Sequence, residues 1–249
     1  MRKQRVGTFC ARTDIGRVRL TNEDQALVLA NAYGDVLMLV ADGMGGHAQG
    51  DFASRIAIEV LGDAFRNINR FWSTSSAKKW IKTNIRKANK QIYQEAQNNQ
   101  EYHDMGTTLV VALIHRKKVI IANVGDSRAY FLLDQQMYRL TEDQTFVDYL
   151  YRTGQITEEE IKFHPRRHVL LNAVGITPSV NIDLNVFTYD NQPILLCSDG
   201  LYNNLSNREI EVVLQTDDSV DQKCDMLISM ANKNGGSDNI AVALWEANA

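Results

Sequence analysis

Five short motifs along the chain place a carboxylate beside a glycine, serine or asparagine. They are Asn22-Glu23-Asp24, Asp42-Gly43, Gly125-Asp126-Ser127, Ser198-Asp199-Gly200 and Ser237-Asp238-Asn239. Each motif lies directly before or after an apolar run that is typical of a β-strand. Carboxylates that converge from strand ends form an all-oxygen site for a hard divalent cation such as Mg²⁺ or Mn²⁺. The spacing of Cys and His residues does not suggest a zinc site.

The chemistry expected of such a cluster is metal-assisted hydrolysis. Several aspartates brought together without a cation would repel one another and raise one another's pKa values. Two metal ions about 3.5–4 Å apart can bind a phosphoryl oxygen between them and lower the pKa of a shared water toward neutrality. The motifs therefore favour a reaction in which hydroxide, and not a side chain, is the nucleophile.

Strands and helices with clear periodicity separate the motifs. An uninterrupted apolar run over 36–41 predicts a buried strand that ends at Asp42. Apolar residues then recur every three or four positions, which predicts an amphipathic helix from about Gln49. A second amphipathic helix is predicted to begin near Ser75, where the serines can cap it, and to end in the polar run 97–100.

The second half of the chain predicts mainly strands, followed by helices. Three successive strands joined by short turns favour an antiparallel meander. Strand-rich and helix-rich blocks are segregated, so the expected fold class is α+β with helices packed on antiparallel sheets. The meander strands are predicted over 107–114, 118–124 and 128–132, further strands near 180–188, 193–197 and 239–245, and further helices near 207–214 and 220–232.

The composition sets bounds on the class of protein. No linker or repeat is visible in the 249 residues, so we expect a single domain over 1–249. A formal net charge of -3 gives no global basic field for nucleic acid, and no run approaches the about 18 apolar residues of a membrane span. The three cysteines, Cys10, Cys197 and Cys224, are widely separated and predict reduced thiols of a cytoplasmic protein.

Six motifs together resemble one known family. The chain is similar to the bacterial-type metal-dependent Ser/Thr protein phosphatases, the protein phosphatase 2C-like family, from about Val6 to Trp245. A single Asp-Gly pair is common in turns, but six motifs in the order of the family are specific. They cover 19–24, 40–47, 106–108, 122–128, 196–200 and 236–239.

The resemblance implies a particular fold. It is a central β-sandwich of two antiparallel sheets flanked by α-helices, in four α/β/β/α layers, with the metal centre at one end. The segment of about 141–175 resembles the flap of the family, beside the metal centre. Within the flap, Gln144 stands where His is common and Asn172 stands where Arg is common.

The resemblance also implies two Mn²⁺ or Mg²⁺ ions, with a possible third, weaker site. Asp42 would bridge the two ions, and Asp199 and Asp238 would complete the protein ligands of the first ion. The backbone carbonyl of Gly43 would serve the second ion, with Asp24 bound directly or through water.

Two of these implied roles have alternatives. Glu23 is the alternative to Asp24 at the second ion. Asp126 would join Asp199 at the third site, but Gly-Asp-Ser-Arg is also a possible structural turn in which Asp126 pairs with Arg128.

Arg19 and His47 are the implied catalytic residues. Arg19 would hold the substrate phosphate through its guanidinium fork, and the alternative is a surface ion pair. His47 would act as the general acid for the leaving group. Alternatively it hydrogen-bonds within its own loop and water supplies the proton.

The function implied is hydrolysis of phosphoserine and phosphothreonine in proteins, by attack of a hydroxide that bridges the metal ions. The expected partners are phosphorylated proteins and a bacterial Ser/Thr kinase that the enzyme opposes, and the chain is expected to be a monomer without nucleic acid or membrane partners. Two other classes stay open. One is a catalytically silent phosphoprotein-binding module, and the other is a two-metal nuclease or small-phosphoester hydrolase.

Overall fold

The computed structural model describes residues 7–45, 48–68 and 70–247. Two antiparallel β-sheets lie at its centre and supply the layers on which the helices pack. The strands are β1 (Gly7–Asp14), β2 (Asp24–Ala30), β3 (Val36–Met44), β4 (Gly106–Thr107), β5 (Leu109–His115), β6 (Lys118–Val124), β7 (Arg128–Leu133), β8 (Gln136–Arg139), β9 (Asp183–Thr188), β10 (Ile194–Cys197) and β11 (Ile240–Ala247).

Each sheet combines strands that are distant in sequence. The first sheet has five strands in the order β1-β11-β10-β7-β8. The second has the order β2-β3-β5-β6-β9, and the short β4 pairs with the end of β3. Neighbouring strands along both orders are antiparallel.

Helices cover the outer face of each sheet. Helices α1 and α2 pack on the second sheet, while α5, α6 and α7 pack on the first. The remaining helices, α3 and α4, belong to the segment 141–175. The helices are α1 (Ala48–Arg66), α2 (Thr74–Asn98), α3 (Phe146–Arg152), α4 (Glu158–Ile161), α5 (Asp199–Tyr202), α6 (Asn207–Leu214) and α7 (Val220–Lys233), with a 3₁₀ turn at Gln100–Tyr102.

The buried side chains form three apolar layers, which follow from the alternation of side chains along each strand. In β3, Leu37 and Leu39 point toward α1 and α2, whereas Met38 and Val40 fill the space between the two sheets. A third layer lies between the first sheet and helices α5, α6 and α7. These layers confirm the predicted α+β sandwich with helices on both outer faces.

The predicted three-stranded meander is wrong at its third strand. Strands β5 and β6 pair as expected, but β6 pairs on its other side with β9. Strand β7 belongs to the opposite sheet, where it pairs with β10 and β8. Between β6 and β7 the chain turns at Gly125, which has a φ of 98°. A short connection fixes the turn but not which sheet receives the next strand.

The start of α2 also differs from the prediction. Ser73, and not Ser75, is the N-cap, and its side chain accepts a hydrogen bond from the backbone N–H of Ser76. The hydroxyl of Ser76 closes the capping box from the other side, because it accepts from the backbone N–H of Ser73.

Among the described residues, no helix is both long and apolar enough to span a bilayer.

Candidate metal centre

The five acidic motifs meet at one end of the sandwich, because each carboxylate lies at the end of a strand or in the loop beside it. Asp24 begins β2 and is paired in register with Asp42 near the end of β3. Asp126 lies in the turn from β6 to β7, Asp199 directly follows Ser198 after β10, and Asp238 precedes β11. The sequence prediction of a common edge is therefore matched by the strand order.

Asp42 lies in the centre of this cluster. Its carboxyl group is a near neighbour of those of both Asp24 and Asp199. Burial and then the charges of Asp24, Asp199, Asp126 and Asp238 raise its pKa well above the ordinary value. Two carboxylates opposite each other on neighbouring strands would repel, so such an arrangement requires a shared proton or a cation.

The neighbouring carboxyl groups are perturbed in the same direction. Burial, ahead of the nearby carboxylates, raises the pKa of Asp24 and of Asp126 to about 8. Burial and then the charge of Asp238 raise the pKa of Asp199 to about 6, against the opposing charge of Arg19. Asp24 is buried, whereas Asp42, Asp126 and Asp199 are half-buried, so the cluster is open to the surface.

Two threonines fix the backbone of Asp42. The backbone N–H of Asp42 donates to the hydroxyl of Thr108 at 3.0 Å. The Asp42 carbonyl accepts from the Thr107 hydroxyl at 2.9 Å and from the Thr108 N–H at 2.8 Å. The Thr108 hydroxyl also lies 2.7 Å from that of Ser127. These contacts place the threonines at the floor of the cluster, beneath Asp42.

Glycine is required after Asp42 and after Asp199 because other backbone segments approach closely. A Cβ atom at Gly43 would lie 2.2 Å from the carbonyl oxygen of Gly50 in the first turn of α1. A Cβ atom at Gly200 would lie 1.9 Å from the carbonyl oxygen of Asn239. The Asp-Gly pairs therefore do more than form turns, since they allow α1 and β11 to pack against the cluster.

Ser198 connects the cluster to the first sheet. Its hydroxyl donates to Asp24 Oδ2 at 2.6 Å and accepts from the N–H of Ala241 at 2.8 Å. Asp199 Oδ2 accepts from the side chain of Asn203 at 3.0 Å. Asp199 Oδ1 is buried without a hydrogen-bond partner among the described residues. An unpartnered carboxylate oxygen beside other carboxylates suits a hard cation.

Arg19 and Asp238 form an ion pair at the rim of the cluster. Arg19 Nη2 lies 2.7 Å from Asp238 Oδ2, and the side chains are 50% and 30% exposed. The alternative of an ion pair at Arg19 is thus observed, but its partner is itself a candidate ligand. Arg19 remains close enough to the cluster for the charges of Glu23 and Asp199 to raise its pKa, after the contribution of the Asp238 hydrogen bond.

Asn239 is a residue of the site to which sequence analysis assigned no role. Its Oδ1 accepts from the backbone N–H of Glu23 at 2.9 Å. Its Nδ2 donates to the carbonyls of Ile15 and Thr21, at 2.9 Å in each case. The side chain therefore holds both ends of the loop that carries Arg19. The signal was present in the motif Ser237-Asp238-Asn239, but only the tertiary contacts reveal its use.

The alternative pairing of Asp126 with Arg128 is not what the structure contains. Arg128 Nη2 lies 2.6 Å from Asp143 Oδ2, and its guanidinium stacks 3.4 Å over the ring of Tyr202. The hydroxyl of Tyr202 in turn donates to the Asp126 carbonyl at 3.1 Å. Arg128 thus supports the turn through Tyr202 and does not pair with Asp126. The carboxylate of Asp126 is directed to the cluster, where the charge of Asp199 raises its pKa.

The segment 141–175 is anchored beside the cluster by the two residues that depart from the resemblance. Gln144 Oε1 accepts from the N–H of Gly125 at 2.9 Å and from Asn172 Nδ2 at 2.6 Å. Gln144 Nε2 donates to Asp183 Oδ2 at 2.7 Å. Further along, His168 lies near enough to Asp238 for that charge to act on its pKa, which burial lowers. The segment therefore reaches the rim.

The carboxylates and carbonyls suit Mg²⁺ or Mn²⁺, although they do not yet stand in coordination geometry. Within 7–45, 48–68 and 70–247, no group of three or more His, Cys, Asp or Glu side chains is placed so that it could hold an ion. Three candidate ligands accept hydrogen bonds from protein donors, Asp24 from Ser198, Asp199 from Asn203 and Asp238 from Arg19. A cation bound at Asp238 Oδ2 would compete with Arg19 for that oxygen. His47 lies outside the described residues.

The pKa shifts predict an unusual pH dependence of stability in the chelated protein. Asp24 and Asp126 hold protons up to about pH 8, whereas unfolded carboxyl groups lose theirs near about pH 4. Between these values the folded state binds more protons than the unfolded state, so the free energy of unfolding falls as pH rises. We expect the melting temperature in excess EDTA to fall from about pH 5 to about pH 8.

The substitution Asp126→Asn should make this fall shallower, because the amide cannot titrate. Asp134→Asn is the matched control, since Asp134 is exposed and has a φ of 49°, which asparagine tolerates. A melting temperature that rises over this pH range, or equal slopes for both variants, would contradict the assignment.

Comparisons with known proteins agree with this fold. The family described as Protein phosphatase 2C matches residues 16–244. Serine/threonine phosphatase stp of Listeria welshimeri is 42% identical over 238 residues, which cover 95% of this chain and 94% of that protein. Protein phosphatase PhpP of Streptococcus pneumoniae is 34% identical over 237 residues, which cover 95% of this chain and 96% of that protein.

The fold itself is similar to solved structures. The S. agalactiae serine/threonine phosphatase superposes with a TM-score of 0.92 at 35% sequence identity, covering 97% of this chain and 100% of that one. Sequence and fold therefore agree over nearly the whole length of this chain. This chain belongs to the protein phosphatase 2C family.

Proposed function

We propose that this chain is a metal-dependent phosphoprotein phosphatase that hydrolyses phosphoserine and phosphothreonine. Members of the family are metal-dependent and act on phosphorylated proteins. The observation that carries the proposal is the position of Asp42, which is paired in register with Asp24 and lies near the carboxyl group of Asp199 at an open end of the sandwich. Such a group of oxygens has its ordinary use in binding divalent cations next to a phosphate.

The proposed cofactors are two Mn²⁺ or Mg²⁺ ions, with a third, weaker site. When bound, such ions act as Lewis acids on the phosphoryl oxygens and make water a stronger nucleophile. Asp42 joins the two sites because it lies between the carboxylates on either side. The proposed ligands are Asp42, Asp199 and Asp238 for the first ion, Asp42, Asp24 and the Gly43 carbonyl for the second, and Asp126 with Asp199 for the third.

The side chains of this chain bind and orient the phosphate. Arg19 presents a half-exposed guanidinium at the rim, already directed toward the cluster by Asp238. A planar guanidinium can bind two phosphate oxygens at once, so it would exchange the carboxylate of Asp238 for the substrate. We propose His47 as the proton donor to the Ser or Thr leaving oxygen, a role suited to imidazole near neutral pH.

The segment 141–175 is proposed as a flap that contacts the protein part of the substrate. Its support is the position of His168 near Arg19 and Asp238. We further propose that residues 1–249 form a single catalytic domain that is a monomer in the cytoplasm. It would reverse phosphorylation by a Ser/Thr kinase and would have no nucleic acid or membrane partner.

A silent phosphoprotein-binding module is the alternative from another class. Such a module needs a phosphate-binding arginine but no set of carboxylates that are costly to bury together. Here the carboxylates of Asp24, Asp42, Asp126 and Asp199 have all been kept, three of them with pKa values raised to about 6–8. Retention of this costly cluster favours the enzyme.

The substrate class can be tested with two peptides, one carrying phosphothreonine and one carrying phosphotyrosine. We expect phosphate release from phosphothreonine with Mn²⁺ or Mg²⁺, release suppressed by EDTA, and little release from phosphotyrosine. Asp199→Asn and Asp42→Asn should reduce the rate to that of the chelated protein while the circular dichroism spectrum stays unchanged. Absence of turnover with every metal, in a folded sample, would favour the silent binding module.

The role of Arg19 predicts a specific kinetic effect. Arg19→Ala should raise KM for the phosphopeptide about ten- to a hundred-fold, since charge-assisted hydrogen bonds contribute about 1.5–3 kcal/mol. Arg19→Lys should fall between Arg19→Ala and the unsubstituted protein, because it keeps the charge but loses the fork. Arg66→Ala is the matched control, a half-exposed arginine in a 2.8 Å ion pair on α1. Equal KM values for Arg19→Ala and Arg66→Ala would refute phosphate binding by Arg19.

Metal binding should also be visible without turnover. An ion that binds only the folded state at about a hundred times its Kd adds about 2.7 kcal/mol. For a chain of this size, that corresponds to a rise in melting temperature of roughly 5–10 °C. We expect this rise on adding Mn²⁺ to the chelated protein and a smaller one for Asp199→Asn. An unchanged melting temperature in both proteins would speak against a cation site.

A further inference from the structure

Two of the three cysteines meet in the fold although 214 positions separate them in sequence. Cys10 lies on β1 and Cys224 on α7, and both belong to the apolar layer between the first sheet and its helices. Their side chains are 2% and 0% exposed. The two thiols are near enough to each other for each to act on the pKa of the other. Both are free thiols, so no disulfide joins them in this structure.

Neighbouring ion pairs place the two cysteines together independently of the thiol contact. Residues 10 and 12 point to the same face of β1, because side chains alternate along a strand. Arg12 of that face lies 2.6 Å from Asp221 and 3.6 Å from Asp225 of α7. Positions 221, 224 and 225 share one side of the helix. Cys224 is therefore held against the strand at the level of Cys10.

Contacts at both ends of α7 fix the same alignment. Lys223 Nζ lies 2.8 Å from Glu246, which is paired in register with Thr8 of β1. Asn232 Nδ2 donates to Asp14 Oδ1, at the end of β1, at 2.9 Å. The helix thus lies along the face of β1 formed by positions 8, 10, 12 and 14, with Cys10 in the middle of that face.

Each thiol acts on the pKa of the other. Proximity to Cys224, and to a lesser extent the charge of Arg12, lowers the pKa of Cys10 against the opposing effect of burial. Proximity to Cys10 and burial raise the pKa of Cys224. Arg12, two positions from Cys10 on the same face of β1, therefore favours the thiolate at Cys10. A thiolate is the reactive form toward oxidants, and a neighbouring thiol can then displace the oxidised group.

We propose that Cys10 and Cys224 form a dithiol modification site that is converted by peroxides to a reversible disulfide linking β1 to α7. The Cys10 thiolate attacks one oxygen of hydrogen peroxide, the O–O bond breaks, and hydroxide leaves with the electron pair. The sulfur of Cys224 then attacks the sulfenic sulfur of Cys10 and displaces the second hydroxide. The thiol protons convert both hydroxides to water, so two thiols are oxidised by two electrons and one peroxide is reduced.

Strand β1 gives the oxidant a route to the buried pair. Among the described strands, it is an edge strand of its sheet and pairs with β11 alone. Local opening of an edge strand needs the loss of only one ladder of hydrogen bonds, which makes such openings less costly than global unfolding. Cys197 lies within the sheet on β10, is fully buried, and has a pKa raised to about 12 by burial. It serves as the internal control.

The linked elements both lead to the rim of the metal centre. Strand β1 continues into the loop that carries Arg19, and α7 continues into the loop that carries Asp238. These loops already touch, because the N–H of Arg17 donates to the Gly236 carbonyl at 2.8 Å. A covalent bond between β1 and α7 would tie together the two elements from which these loops extend.

The test oxidises the whole folded chain with hydrogen peroxide, blocks remaining thiols by alkylation, and maps peptides by mass spectrometry without reduction. We expect a Cys10–Cys224 peptide that has lost two hydrogens, complete reversal by dithiothreitol, and an unmodified Cys197. The disulfide should raise the melting temperature by roughly 4–15 °C, since it closes a long loop in the unfolded chain.

Variants separate this site from random oxidation. Cys197→Ala should form the link at the same rate as the unsubstituted protein. Cys224→Ala should stop at a sulfenic acid on Cys10, which a dimedone probe traps. A link through Cys197, overoxidation of Cys10 without a link, or no reaction while glutathione in the same tube is oxidised would each overturn the proposal.

Discussion

The repulsion among carboxylates packed around Asp42 is the constraint on which the rest of the site depends. Desolvation and like charges raise the pKa values of Asp24, Asp42, Asp126 and Asp199. The cluster is therefore unfavourable as a set of anions. Only protons or cations can offset this cost. The protein keeps the cluster where four strand ends and one connecting turn converge, a position at which the backbone is held by two sheets.

Around this cluster, uncharged side chains position the backbone and the carboxylates. Thr108 and Ser198 hold the backbone of Asp42 and the carboxylate of Asp24, and Asn239 holds the loop of Arg19. Hydroxyl and amide groups fix geometry without changing the total charge, which leaves the carboxylates to respond to a bound cation. Close packing at Gly43 and Gly200 brings the backbone of Gly50 and Asn239 against the cluster. Arg19 is the exception, a charge at the rim that neutralises Asp238.

Two elements at the first sheet that are distant in sequence, β1 and α7, both lead to the rim of the cluster. Strand β1 and helix α7 are joined by Arg12, Lys223 and Asn232, and both continue into loops beside the cluster. The pair of Cys10 and Cys224 lies inside this connection. A change in the covalent state of the two thiols would therefore act on the support of the site and not on its ligands.

The sequence by itself determined the fold class and the places of the acidic residues. That Asp24, Asp42, Asp126, Asp199 and Asp238 lie at or beside strand ends follows from residue types and local periodicity, whereas their roles as metal ligands stay a prediction. Tertiary structure alone decided which sheet receives β7, that Arg19 pairs with Asp238 across 219 positions, and that Cys10 meets Cys224. Such contacts depend on how the two sheets and their helices pack, because no local pattern records which distant side chain will lie opposite. The short-range pattern determines which segments become strands or helices, whereas the packing of the whole chain determines which distant side chains come into contact.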